Sequence, residues 1–231
     1  MMKRIAILAA AGAPVAVAAA FAAPALAAPA KVSWRVEGAS KTLLATKTVA
    51  VPTGGSITKG GTPQGACPAN TAAGAFNVAT GGNWSGTYSN GLGIEVTTIL
   101  GQSAVYTRGR YWEFFVDNHT ASLGICDQKV KTGDQLLFAS VPAKGAAEFP
   151  IVVSAPAKAT AGTSFQVKAS YYPTKSNTAK PLAGVRFTGV KGTTNANGVA
   201  TVTATKAGKL SLVGSKQGEI RSAAVTVAVA K

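Results

Sequence analysis

The chain has 231 residues, with 23 Lys and Arg against 8 Asp and Glu, 47% hydrophobic residues, two Cys and a single His. Only 13% of the residues are charged, and abundant Thr, Gly, Val and Ala favour strands; long amphipathic patterns are absent, which excludes a helical bundle. One His and two Cys leave a metal centre of those residues short of ligands.

Met1 to Ala27 carries Lys3 and Arg4, an Ala-rich apolar run from Ile5 to Ala23, and the small-x-small triplet Ala25-Leu26-Ala27. That is the pattern of a secretory signal peptide, cut between Ala27 and Ala28. Pro14, Pro24 and the high Ala content argue against a membrane anchor, and no Cys follows for a lipid anchor. Once the signal is removed, no remaining stretch is expected to span a bilayer, and 21 basic residues stand against 8 acidic ones. The length suits two domains of ordinary size.

Charge divides those domains. Residues 28–148 hold ten Lys/Arg and seven Asp/Glu, whereas 149–231 hold eleven against a lone acid, Glu219. With Phe149-Pro150 and a strand pattern restarting at Ile151, the boundary falls near residue 149.

In the first domain, Val32, Trp34 and Val36 alternate with Ser33, Arg35 and Glu37, predicting a half-buried strand. Gly38 to Lys41 make a turn, and Leu43 to Val51 return as the second strand of a hairpin. The Gly-rich stretch Gly54 to Gly65 has no phosphate-loop ending and reads as a surface loop. Thr71 to Thr80 is the one helix candidate, with Phe76 facing a sheet and Gly81-Gly82 closing its C-terminus. Leu92 to Leu100, Gly109 to Val116 and Gln135 to Val141 are further strands. The middle one, rich in aromatics, is expected at the centre of the sheet. Trp112, Phe114 and Val116 form its core face, while Tyr111, Glu113, Phe115 and Asp117 form a face only half suited to burial. Asp117-Asn118 opens a turn.

Arg35-Val36-Glu37-Gly38, Cys67, Ala79 to Gly86 (ATGGNWSG), Ile99-Leu100-Gly101, Tyr111-Trp112 with Asn118, Gly124-Ile125-Cys126 and Gly133-Asp134 through Phe138 resemble the transcobalamin-like C-terminal domain family across this first domain. The resemblance implies an α+β, β-grasp-like domain, a sheet carrying one short helix. It also implies a small-ligand, cobalamin-like binding module, with Trp84, Tyr111, Glu113 and Phe115 as the candidate ligand face. The α/α-barrel that clasps the other side of cobalamin in the animal proteins has no counterpart in this sequence.

Cys67 and Cys126 are the only cysteines, so in an exported chain a disulfide is expected. It closes a long loop, for which chain-entropy arguments give about 4 kcal/mol. Catalytic patterns are thin. His119 beside Asp117 reads as a solvated turn histidine, and no nucleophile-elbow Ser accompanies them. Glu95, Glu113 and Asp117 read as solvating carboxylates rather than a glycosidase pair. Asn83-Trp84-Ser85 and Asn118-His119-Thr120 match the N-glycosylation pattern.

In the second domain, Ile151 to Ser154, Ser164 to Tyr171, Val185 to Val190, Val199 to Ala204, Lys209 to Ser215 and Ala223 to Val229 predict about seven or fewer short strands. The stretches from Pro181 to Phe187 and Thr194 to Val202 resemble bacterial Ig-like surface domains, which implies a β-sandwich. Lysines run through it, among them Lys168, Lys175, Lys191, Lys206 and Lys209. No aromatics interleave them and no nucleic-acid-binding motif is present, so nucleic acid is excluded as a partner. The expectation is a mostly β, monomeric, secreted or cell-wall-associated protein, with neither cofactor nor enzymatic activity. Lys168, Lys191, Lys206 and Lys209 would meet anionic cell-envelope polymers; the alternative is the small-ligand module.

Overall fold

The computed structural model describes residues 28–59, 65–89, 93–174 and 176–231. The signal-peptide reading of 1–27, the middle of the Gly-rich loop, Leu92 and Lys175 lie outside them.

The protein is mostly β. Lys31–Glu37 (β1) and Thr42–Ala50 (β2) form the predicted hairpin. Short strands Ser56–Thr58 (β3) and Ala66–Pro68 (β4) pair before the helix Ala72–Thr80 (α1). Trp84–Ser89 (β5), Gly93–Ile99 (β6) and Gln102–Ser103 (β7) make a three-stranded sheet. Arg110–Val116 (β8), His119–Thr120 (β9) and Gln135–Pro142 (β10) complete this half.

The main sheet runs β2-β1-β10-β8-β9, with β1 and β10 parallel. Its centre is therefore β10, not the aromatic strand β8, whose outer neighbour is the two-residue β9. A central strand must be covered on both faces, and β10 is the uncharged one, with Leu136 through Val141 all buried. Strand β8 carries Glu113 and Tyr111 on alternate positions and sits one place out. The turn after it forms as expected: Asp117 and Asn118 both take positive φ (50° and 66°), the geometry of a two-residue type I′ hairpin.

One face of this sheet holds the first core. Trp34 lies 4.7 Å from Phe76 of α1 and stacks on Phe114 and Phe138. Helix α1 is short and has no side-chain N-cap bond, so other segments satisfy its ends. The N–H groups of Ala72 and Ala73 donate to the carbonyls of Gln128 and Ile125. Lys47 of β2 donates to the Ala79 carbonyl, which places a cation at the negative end of the helix. Gly81 closes the helix with φ 62°. Gly74 lies so close to the Ala69 backbone that a Cβ there would collide with it. The Cys67–Cys126 disulfide is formed and ties β4 to the same loop that caps α1.

Residues 149–231 contribute Val152–Ser154 (β11), Lys158–Thr160 (β12), Ser164–Tyr171 (β13), Lys180–Pro181 (β14), Arg186–Phe187 (β15), Val199–Thr203 (β16), Gly208–Leu212 (β17), Gly214–Ser215 (β18) and Val225–Ala230 (β19). Strands β11, β13, β14 and β16 form one sheet and β12, β19 and β17 another. Val167, Ala169, Ala200, Val202, Leu212, Val227 and Val229 from both meet in one core. The strands are more numerous and shorter than expected. The predicted run Val185 to Val190 pairs only at β15, because Gly189 and Gly192 take positive φ and bend the chain away. Gly198 lies in a turn after Asn197 at φ 71°, pressed against the Ala169 carbonyl, where no Cβ would fit.

Candidate functional site

The second face of the main sheet is covered by the second half of the chain. Phe115 of β8 and Leu137, Ala139 and Val141 of β10 are buried with Ile220, and Tyr111 packs at their edge. Ile220 is pinned there by two backbone bonds, its N–H to the Phe149 carbonyl and its carbonyl accepting from the Ile151 N–H. Phe115 is fully buried, and the Tyr111 hydroxyl donates to Glu113 Oε2 at 2.9 Å. Burial above all, then the hydrogen bond to Glu113 and that carboxylate's charge, pushes the Tyr111 phenol up to about 12.

This corrects the expected ligand face. Trp84 is not on it at all: it lies in β5, buried 5.3 Å from Phe76, with its Nε1 donating to Asn77 Oδ1 and Lys59 over its ring. Tyr111, Glu113 and Phe115 do share a face, but Ile220 of the second half packs over Phe115, with Tyr111 at the edge of that cluster. A strand face with two aromatics and a carboxylate is suited to an interface whose apolar centre is dry and whose edge is hydrogen-bonded.

An ion cluster binds the same seam. Glu37, its side chain 3% exposed, receives Arg35 Nη1 on one oxygen and Arg221 Nε on the other, both at 2.8 Å. Thr42 Oγ1 donates to both oxygens. Arg35 Nη1 also donates to the Arg221 carbonyl, and Arg221 Nη2 to the Gly38 carbonyl. Burial presses the Arg35 guanidinium's pKa down, against the opposing pull of Glu37. The alternation of the strand sets Arg35 and Glu37 on the side opposite Val32, Trp34 and Val36. The available signal was their spacing: opposite charges two apart on one strand share a face and can pair. Their third partner, 184 residues beyond Glu37, had none.

Beside this cluster opens a cleft of about 850 Å³ to which both halves contribute. Ser40, Arg110 and Ser140 line it from the first half; Glu148, Arg186, Lys216, Gln217 and Glu219 line it from the junction and the second half. Arg110 Nε donates to Ser140 Oγ at 2.9 Å, and its Nη2 to the Ser140 carbonyl. Glu219 Oε2 accepts from the Phe149 N–H, and burial raises its pKa.

His119 is not a solvated turn residue. Its ring packs 4.3 Å from Tyr172 of the second half, and its Nδ1 bonds the Asp117 carbonyl. The three carboxylates stay apart in role: Glu113 accepts from Tyr111, Asp117 accepts from the Gln135 N–H, and Glu95 is exposed on β6. Among the described residues no cluster of three His, Cys, Asp or Glu could hold a metal, and no helix is long and apolar enough to cross a membrane.

Lys168, Lys191, Lys206 and Lys209 are all exposed. Lys168 sits in the middle of β13, whereas Lys206 and Lys209 flank the turn between β16 and β17, beside a small groove. Among the described residues the only two ion pairs are those of Glu37, so none of these lysines is neutralised by a neighbour.

No curated protein matches the chain. Among solved structures, the crystal structure of haptocorrin in complex with Cbi is similar at 16% identity with a TM-score of 0.38, covering 51% of this chain and 26% of that one. The chain thus spans about a quarter of that protein's length. Residues 84–140, from β5 through most of β10, match a family model described as a domain of unknown function, DUF4430.

Proposed function

We propose that this is a secreted, cell-envelope-associated protein without enzymatic activity, whose basic half, residues 149–231, holds anionic envelope polymers by charge. The supporting observation is how that half spends its charges. Its one acid, Glu219, turns into the seam to accept from Phe149, and one of its eleven cations, Arg221, is consumed by Glu37. The remaining described cations have no ion-pair partner, so the outer surface is cationic without mixed sign, unlike a surface shaped for solubility alone. A small-ligand module built on Trp84, Tyr111, Glu113 and Phe115 loses its surface, because Trp84 is core and Phe115 is sealed in the seam.

Retention of the mature chain on purified cell wall tests the reading. The screening length falls from about 10 Å at 0.1 M salt to about 3 Å at 1 M, so retention should drop steeply over that range. The quadruple change Lys168, Lys191, Lys206 and Lys209 to Gln should weaken it at low salt and leave the melting temperature nearly unchanged, since all four side chains are exposed. Retention that ignores both salt and the four substitutions would refute charge as the mode of attachment.

A further inference from the structure

The cleft between the halves carries charges of both signs that the protein itself leaves unpaired. Arg110, Arg186 and Lys216 line it together with Glu148 and Glu219, yet none of the five lies within ion-pair distance of another. Opposite charges brought into one recess normally close on each other unless the backbone holds them apart. Lys216 and Glu219 share one turn, but the others sit on separate supports: Arg110 is tethered to Ser140 on the main sheet, Arg186 is on β15, and Glu148 is at the junction. Glu219 is half-buried with one backbone hydrogen bond to its carboxylate, and burial raises its pKa against the opposing pull of Lys216 in the same turn, which leaves Glu148 as the carboxylate without a nearby cation of its own.

The signs restrict what can enter. A purely anionic guest would face Glu148 and Glu219, and a purely cationic one would face three basic side chains. A guest carrying both an ammonium and a carboxylate satisfies both sets. The volume, about 850 Å³, is in the range of clefts that hold ligands of several hundred daltons rather than a single amino acid. Ser40, Ser140 and Gln217 add the hydroxyl and amide groups that backbone amides need.

We propose that this cleft binds a short peptide with free ends, its carboxylate on Arg186 and its ammonium on Glu148. The site is separate from the lysine surface of the polymer reading and does not depend on it. It requires both halves in the arrangement that Arg35, Glu37 and Arg221 hold.

Calorimetric titration of the mature chain with trialanine, acetyl-trialanine and trialanine amide tests it. Trialanine should bind saturably, and blocking either end should weaken binding about tenfold, the scale of one charged hydrogen bond. Glu148→Gln should erase the discrimination against the acetylated peptide only, and Arg186→Gln that against the amide only. Lys168→Gln, remote from the cleft, should change neither, and Glu148→Gln should leave retention on cell wall intact. No saturable binding at millimolar trialanine, or equal binding of the three peptides, would overturn the proposal. Discrimination that survives both substitutions would overturn the assigned residues.

Discussion

Removing the charge of Glu37 tests whether the seam is held as described. Glu37→Gln keeps the shape of the side chain but leaves two guanidinium groups around a neutral amide. The buried Arg35 then has only carbonyl oxygen as a partner, and one amide N–H₂ faces a guanidinium donor. Removing one partner of a buried pair costs about 3–5 kcal/mol. Arg35 has little room to escape, with 7% of its side chain exposed, whereas Arg221, at 24%, can swing toward water. The loss should therefore sit at the lower end of that range, about 3 kcal/mol, equivalent to a fall in melting temperature of about 10 °C for a chain of this size. Arg221→Gln should cost less. The double variant should lose less than the two single losses added together, because all share one carboxylate. Urea unfolding of the wild type, both single variants and the double variant measures each quantity. A Glu37→Gln loss below about 1 kcal/mol, or strict additivity, would show that the cluster does not hold the halves.

Reduction of Cys67–Cys126, or its replacement by two Ser, should lower the unfolding free energy by about 4 kcal/mol for a crosslink spanning 59 residues. It should also loosen α1, whose first N–H groups depend on Ile125 and Gln128; an unchanged denaturation midpoint under reductant would contradict this. The Tyr111 phenol should titrate at about 12, against an ordinary value of 10. The folded state then holds a proton that the unfolded chain releases, so this contribution is fully present below pH 10 and is lost as pH rises toward 12. The stability difference between wild type and Tyr111→Phe should shrink across that window; a constant difference would place the phenol outside the seam.

Local features of this protein were legible in its residues. Alternation at Val32, Trp34 and Val36 identified a core face, Gly81 marked the end of α1, and Asp117-Asn118 announced a hairpin turn. Two cysteines allowed one pairing, and it forms. Each of these depends on neighbours a few positions away or on the φ a residue tolerates. The site did not depend on them. Arg35, Glu37 and Phe115 alternate as any solvent-facing set would, and they are buried only because Ile220 and Arg221 arrive from the far end of the chain. The central place of β10 likewise rests on its parallel pairing with β1, about a hundred residues upstream. Periodicity states which side chains share a face; only the tertiary structure decides what lies against that face, because burial is set by the segment across from it and not by the strand that carries it.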